Sequence, residues 1–453
     1  MMLNKLKKLL IIQEDDAYFL FETLQVIEKN IAILKEFEIH ILVDEKALST
    51  LQETIDPIIS GITTDSEKIL NTEFDISFNL SHNTKSLSCH TQVKAKNKVG
   101  PYFEENRLIV PDLWSTYYLT LKGGAPFLTF HLQDIFRNIL GVKRKAFEEK
   151  KPENFKIIAF GHFKSHLMTG DDLEVLIDKV HKHYPSLQIR DLSEIDLVSD
   201  LSRVLYVGPT CLNSLRICEG GATGLYLTSH FQGLNLLPYG PGHTYTSSRG
   251  KAYKTQDVFA MIERKLNHQP LYDNPAISIY GIDHENLYGA YVQSLNTSDD
   301  HYPIYQSHVV LWNFLLNLFE SNLDITHCST SQTNLIKANQ VVLKKLLRIH
   351  DYAMSAVEKI HREAKNQSTS ATNIEAHVKT LTEIDSVFEH IAASHSMLRP
   401  FLDFYKIRKG QNEGKTLLEQ AQSTFIAYSE EHQSLTALDE LFSVTLKRNE
   451  VNI

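Results

Sequence analysis

The sequence predicts an α/β chain of two Rossmann-like halves followed by an α-helical region. Three observations predict it. Short apolar strand runs alternate with amphipathic stretches over residues 1–150. The alternation restarts at Lys156 and continues to residue 268. From Gln332 the strand signals stop and long helical patterns take over. Strands that alternate with helices imply a parallel sheet covered on both faces.

In order, "KLLIIQ" is a buried strand and "AYFLFETLQVIEKNIAILKEF" an amphipathic helix. "EIHILVD" and "EKALSTLQETI" repeat the pair, and "GITTD" holds a short third strand. "FDISFNLS" (Phe74–Ser81) is a strand with a small polar end, and "ENRLIVPD" is another. Charged "VKRKAFEEKKPENF" (142–155) reads as a solvated linker or short helix. In the second half "KIIAFG", "LQIRDL", "RVLYVGPT" and "TGLYLTS" are strands. "GDDLEVLIDKVHKHYP", "CLNSLRICEGG" and "KTQDVFAMIERKL" are helices, the first with acidic residues at its positive end. Residues 269–330 read as a connecting loop, irregular and rich in Tyr, Asn and Asp, followed by an apolar helix at 306–323. The tail, 331–453, reads as a helical bundle or hairpin broken at "KNQSTSATN", "RPF" and "KGQNEG".

Composition narrows the function. The chain has 453 residues, 42% hydrophobic and 22% charged, which suits a globular protein of two or three domains. A net charge of −9 argues against a broad nucleic-acid footprint. The four cysteines (Cys89, Cys211, Cys218, Cys328) show no CxxC and read as free thiols in a reducing compartment. No stretch reaches the roughly 18 apolar residues of a membrane span, and Leu9–Ile12 is too short for a signal segment. The expectation is a cytoplasmic protein. No GxGxxG or GxxxxGK[ST] is present, which argues against a nicotinamide dehydrogenase and a P-loop enzyme.

"LLPYGPGHTYTSS" (Leu236–Ser248) packs two prolines and two glycines into five residues. It cannot be a helix interior or a central strand, so it is a loop of defined shape. With "GGATGLYLTSHFQGLN" before it, "VGPTCLNSLRICEGG", "DLWSTYYL…PFLTFHLQDIFRNILGV" and "FDISFNLS", it resembles glycosyltransferase family 9, which contains the lipopolysaccharide heptosyltransferases. The resemblance spans residues 8–268, and Pro238 to His243 match the family's proline-tyrosine-glycine segment ending in histidine. It implies the GT-B architecture, two facing Rossmann-like domains. The first, 1–150, would take the acceptor and the second, 151–268, a nucleotide-diphosphate sugar. The implied acceptor is a glycan, a lipid-linked saccharide or a protein, and the implied workplace the inner face of a bacterial inner membrane. No cofactor or metal is implied. The helical tail reads as a surface for a protein partner or for self-association.

Inverting sugar transfer needs a base for the acceptor hydroxyl and stabilisation of the departing diphosphate. The family's base is an aspartate just after the first strand. Here "QEDD" puts Asp15 and Asp16 at that place, with Asp16 preferred; the competing account is helix capping. The family's leucine-glycine-aspartate is absent. Lys164 and Ser165 in "FGHFKSHLMTGDD", with His162 and Thr169 beside them, are candidate phosphate ligands; the plain alternative is a solvated loop. Thr210 and Ser214 could bond phosphate ahead of a helix N-terminus. The aspartate and histidine that the family places near Thr210 and Leu215 are missing. Tyr239, Gly240, Gly242 and His243 would wall the donor pocket; the alternative is a strand-to-helix turn. Trp114, Tyr117 and Tyr118 read as core aromatics or an acceptor wall, and His131, Asp134 and Arg137 as a surface ion-pair face. Asp283–Glu285 is a weak metal candidate. Two function classes follow. One is a metal-independent, inverting glycosyltransferase. The other is a degenerate GT-B scaffold that binds nucleotide, glycan or a protein without turnover.

Overall fold

The apolar run after Lys8 becomes the centre of a parallel sheet. Strands β1 (Lys7–Gln13), β2 (Phe37–Val43), β3 (Gly61–Thr63), β4 (Glu73–Asn79) and β5 (Lys94–Val99) lie in the order β3-β2-β1-β4-β5, all parallel. In β1, Leu9 to Gln13 are all buried, as a strand covered on both faces requires. Helices α1 (Ala17–Lys29), α2 (Ile31–Leu34), α3 (Glu45–Leu51), α4 (Ser66–Leu70) and α5 (Thr84–Gln92) fill the connections. Leu10, Ile12, Leu42, Ile69 and Phe74 form one core cluster. A hairpin of β6 (Tyr102–Glu104) and β7 (Arg107–Ile109) follows, so the strand expected at "ENRLIVPD" pairs outside the main sheet. Helices α6 (Leu113–Leu121) and α7 (Leu132–Ile139) come next.

The computed structural model describes residues 6–51, 61–105, 107–121, 130–142, 154–197, 200–228, 238–240, 242–248, 250–269, 271, 277–283, 291–294, 330–365, 371–395, 398–411 and 416–451. The linker at 143–153, Pro241, His284 and Glu285, Cys328 and the apolar stretch 306–323 lie outside them.

A second sheet has the order β14-β13-β12-β11-β10-β8-β9. Its parallel part is β8 (Ile157–Phe160), β9 (Gln188–Asp191), β10 (Val204–Gly208), β11 (Thr223–Thr228) and β12 (Thr244–Ser247). Helices α8 (Gly170–His183), α9 (Leu212–Glu219) and α10 (Thr255–Leu266) accompany it. Tyr206, Tyr226 and Tyr245 stack from strand to strand on one face, with ring centroids 5.3 and 5.0 Å apart. The stretch after residue 268 is not all loop. It carries β13 (Ser278–Asp283) and β14 (Tyr291–Ser294), which extend the sheet antiparallel. They are short and set among Asn, Asp and Tyr, so no period of two stands out.

The tail forms α11 (Thr330–Lys365), α12 (Ala371–Ser394), α13 (Arg399–Gly410) and α14 (Leu417–Val451). The expected breaks recur, the second with Pro400 in the first turn of α13, where a missing N–H costs nothing. The long helices α11 and α14 pack together, and α13 packs on α12, α14 and α6. Their core is apolar at Leu343, Phe401, Leu435 and Phe442 but holds a polar cluster in which His350 and Glu431 are buried. There Lys409 Nζ lies 2.7 Å from Asp385 and 3.6 Å from Glu431, and His350 Nε2 lies 3.3 Å from Glu431. The chain divides into two units. One, within Met1–Ala125, Ile135–Val142 and Gln306–Ile453, joins the first sheet and the tail; the other, within Pro126–Asp134 and Lys143–Tyr305, holds the second sheet.

Candidate active site

Both parallel sheets reverse their winding once. In the first sheet the reversal falls between β1 and β4, and in the second between β8 and β10. Right-handed crossovers then carry the chain to opposite faces on either side of that point, which is where open α/β sheets in general bind their ligands, at the carboxyl ends of the two strands.

In the first unit this edge is built by "QEDD" after β1 and "LSHN" after β4. Polar bonds fix the two loops together. Glu14 N–H donates to Ser81 Oγ at 2.7 Å, Ser81 Oγ donates to Gln13 Oε1 at 2.8 Å, and Asn83 Nδ2 donates to the Glu14 carbonyl at 2.8 Å. Gln13 Nε2 donates in turn to Thr23 of α1 at 3.0 Å. Glu14 is buried and paired with the exposed Lys85 ammonium at 2.5 Å, and that bond raises the Lys85 pKa. Asp16 is exposed and caps α1, its Oδ1 accepting from Tyr18 N–H at 2.9 Å and Phe19 N–H at 3.4 Å. The capping account of Asp16 therefore describes what its carboxylate does here. Asp15 faces across the reversal point, with Oδ1 4.0 Å from His82 Nδ1.

His82 was not legible as a site residue. Only the strand order, which sets the end of β4 beside the end of β1, brings it forward. Its ring stacks on Tyr118 of α6 at 4.1 Å and 24°. Tyr117 and Tyr118 are buried, so the core account holds for both, yet Tyr118 also floors this edge. Burial, with Asp15 and Asp16 nearby, pushes the Tyr118 hydroxyl well above its ordinary pKa.

In the second unit the corresponding edge gathers only part of the expected donor set. Lys164 and Ser165 are exposed in the turn after β8, beside His162, and Thr210 is half-buried just after β10. Gly161 and Gly208 sit where these strands end, and a Cβ at either would run into the Tyr206 hydroxyl. That hydroxyl donates to the Pro209 carbonyl at 2.5 Å. Ser214 is fully buried and committed to a capping box, donating to the Cys211 carbonyl at 2.8 Å and accepting from Cys211 N–H at 3.0 Å.

The Pro-Tyr-Gly segment is elsewhere. His243 precedes β12, and its Nδ1 accepts from Gly224 N–H at the start of β11, 3.0 Å away. Lys265, at the end of α10, donates to the Gly242 carbonyl at 2.9 Å, and burial pushes its pKa down to about 8. Tyr239 donates to Asp134 at 2.5 Å and packs near His131, with ring centroids 4.8 Å apart. Tyr239, Gly240, Gly242 and His243 thus lie at the amino edge of the sheet, opposite Lys164, Ser165 and Thr210. The reason is the crossover: between β11 and β12 the chain must return from one edge to the other before it can run parallel again. His131, Asp134 and Arg137 are buried, not a surface face.

The two parallel sheets define the class of fold: two Rossmann-like α/β units with a helical C-terminal region. No family model matches the sequence, and no curated protein is similar to it in sequence. Among solved structures, E. coli heptosyltransferase WaaC with ADP is 10% identical, with a TM-score of 0.35 over 57% of this chain and 99% of that one. E. coli heptosyltransferase WaaC with ADP-2-deoxy-2-fluoro heptose is 9% identical, with a TM-score of 0.27 over 48% and 82%. No helix among the described residues is long and apolar enough to cross a membrane.

Proposed function

We propose that the chain transfers a sugar from a nucleotide-diphosphate donor to a hydroxyl of a glycan, lipid-linked or protein acceptor, with inversion and without a metal. The observation that carries the reading is the carboxylate pair Asp15 and Asp16 at the reversal point of the first sheet, where open α/β sheets bind ligands. In that chemistry one carboxylate takes the acceptor proton. The oxygen then attacks the anomeric carbon from the face opposite the diphosphate, and the diphosphate leaves with the electron pair of the broken C–O bond. Lys164 and Thr210, at the equivalent edge of the second sheet, would meet the diphosphate charge.

A specific observation favours the second reading, a scaffold without turnover. Ser214 is spent on capping, and the Tyr239–His243 segment serves its own sheet. The donor set is thinner than the resemblance implies.

The test is a thermal-shift screen against ADP, GDP, UDP, CMP and their sugars, with Lys164→Ala beside the wild type. Release of the nucleoside diphosphate is followed over a mixture of glycan and lipid-linked acceptors. A ligand at 100 times its Kd stabilises the native state by about 2.7 kcal/mol. A shift that weakens in Lys164→Ala, together with release, supports the transferase. A shift without release supports the scaffold. No shift at millimolar ligand rejects the donor site.

A further inference from the structure

We propose that the outer face of α11 docks the chain on an anionic lipid bilayer. The inference stands on the tail alone and holds whether or not the chain transfers a sugar.

The chain as a whole is acidic, with a net charge of −9, but α11 is not. It holds seven lysines and arginines against three aspartates and glutamates. Six of the cations, Lys337, Lys344, Lys345, Arg348, Lys359 and Arg362, are exposed. At about 100° per residue they fall within roughly 100° of the helix circumference, and at about 1.5 Å per residue they form a line roughly 38 Å long. The opposite side is spent on packing. Leu343, Leu346, Ala353, Val357 and Ile360 are buried there, and α11 packs on α12 and α14. The cationic line is the face that the bundle leaves to solvent.

The acidic residues of the helix do not neutralise that face. Asp351 lies 3.5 Å from His432 of α14 and Glu363 lies 3.6 Å from His377 of α12, so both serve neighbouring helices. Glu358 lies 3.6 Å from Arg362, with both groups at least half exposed, and such a pair is weak. Among the described residues no carboxylate pairs with Lys344, Lys345, Arg348 or Lys359.

Two further side chains in the same sector decide the partner. Val341 is 57% exposed and Tyr352 is 73% exposed. A nucleic-acid backbone offers an exposed valine nothing. The headgroup region of a bilayer takes up both, the tyrosine with its ring toward the lipid and its hydroxyl toward water. Lysine and arginine stems lie along such a surface while their charged tips stay wet. Since α11 keeps its apolar side in the bundle, the contact is shallow and the attraction is mainly one of charge. A cluster of roughly four to eight basic residues on one helix face is enough to supply it.

Sedimentation of the full chain with lipid vesicles tests the proposal. The wild type should bind vesicles of phosphatidylcholine and phosphatidylglycerol in equal parts, should ignore phosphatidylcholine alone, and should be released by salt. One cation at such a surface is worth about fivefold in affinity, so Lys344→Gln, Lys345→Gln and Arg348→Gln together should weaken binding by roughly 100-fold. The same loss of charge at Lys68→Gln, Lys94→Gln and Lys182→Gln, in the two sheet-bearing parts of the chain, should leave most of the binding intact. All six positions are exposed, so neither set opens the core. An equal loss in both sets would assign the binding to overall charge and overturn the docking face. Tyr352→Trp supplies a reporter within the line, and its emission should move to the blue on the anionic vesicles; an unmoved spectrum overturns the proposal. A fluorescent DNA duplex is titrated in parallel. Duplex binding that the first set abolishes, without vesicle binding, would make the face a nucleic-acid site. Binding to neither probe refutes the proposal outright.

Discussion

Replacing Asp16 separates the cap from the chemistry. Its carboxylate accepts one well-formed bond, at 2.9 Å from Tyr18 N–H, and one long bond, at 3.4 Å from Phe19 N–H. A cap of that kind is worth about 1 kcal/mol. A negative charge at an exposed helix N-terminus adds about 0.3–1 kcal/mol. Asp16→Ala should therefore destabilise the first unit by roughly 1–2 kcal/mol. It should not melt α1, because Leu20, Phe21, Leu24 and Ile27 keep that helix buried against the sheet. Asp16→Ser keeps a capping oxygen and loses only the charge, so it should recover most of the difference. Urea unfolding of the three proteins at one ionic strength measures both effects. If Ser is no better than Ala, the carboxylate is not acting as a cap. If the Ser protein is as stable as expected and yet inert toward a donor that the wild type cleaves, the Asp16 carboxylate does more than cap the helix.

Two further predictions concern buried groups of the same unit. Burial pushes the His90 imidazole, which donates from Nδ1 to the Pro101 carbonyl and accepts at Nε2 from Ser77, down to about 4. The unfolded chain then takes up the proton first as pH falls. The stability that neutral His90 allows is intact above a pH of about 6.5 and is lost toward about 4, by roughly 3 kcal/mol. Denaturation at neutral and acid pH should show that loss in the wild type and not in His90→Gln. In the tail, Lys409→Met takes a cation from the buried Glu431 carboxylate and from Asp385, which is 46% exposed and keeps its bond from the Tyr428 hydroxyl, and should cost about 1–3 kcal/mol. Lys406→Met breaks a pair whose members are 65% and 57% exposed and should change stability by no more than about 1 kcal/mol. Helix-signal denaturation of the two variants compares them, and equal losses would mean that the Lys409 cluster is hydrated.

The architecture was legible because its signals are local. Buried runs such as "KLLIIQ" and "RVLYVG" can satisfy their backbone only in a covered parallel sheet, and both became central strands. The pair β13 and β14 was missed because its identity comes from its partners, not its composition. The site was legible by halves. Asp15 and Asp16 follow directly from the end of a strand, a place that sequence marks. His82 does not, since nothing within a few residues of it says that β4 lies beside β1 with the intervening strands on the far side. Ser214 shows the converse. A hydroxyl at a helix start has the same local signature whether it binds phosphate or its own backbone, and here its bonds to Cys211 decide for the backbone.

The Pro-Tyr-Gly segment carries that ambiguity furthest. Its composition announces a loop of defined shape, and Gly242 sits at φ +90°, a conformation that favours glycine. What composition does not contain is the thing enclosed. Here the loop closes on the Gly224 amide of β11 through His243, on Lys265 through the Gly242 carbonyl, and on Asp134 through Tyr239. Each of these partners belongs to the same unit, and together they hold Tyr239, Gly242 and His243 in place. A loop with so many internal obligations has little freedom to reshape around a diphosphate. In the proposed transfer, donor recognition rests on the opposite edge, where Lys164 and Ser165 are exposed and Thr210 is half-buried. Phosphate there would meet one flexible cation and hydroxyls, not a preformed cradle of glycine amides. Such a site binds through charge more than shape, and its affinity should fall steeply with salt.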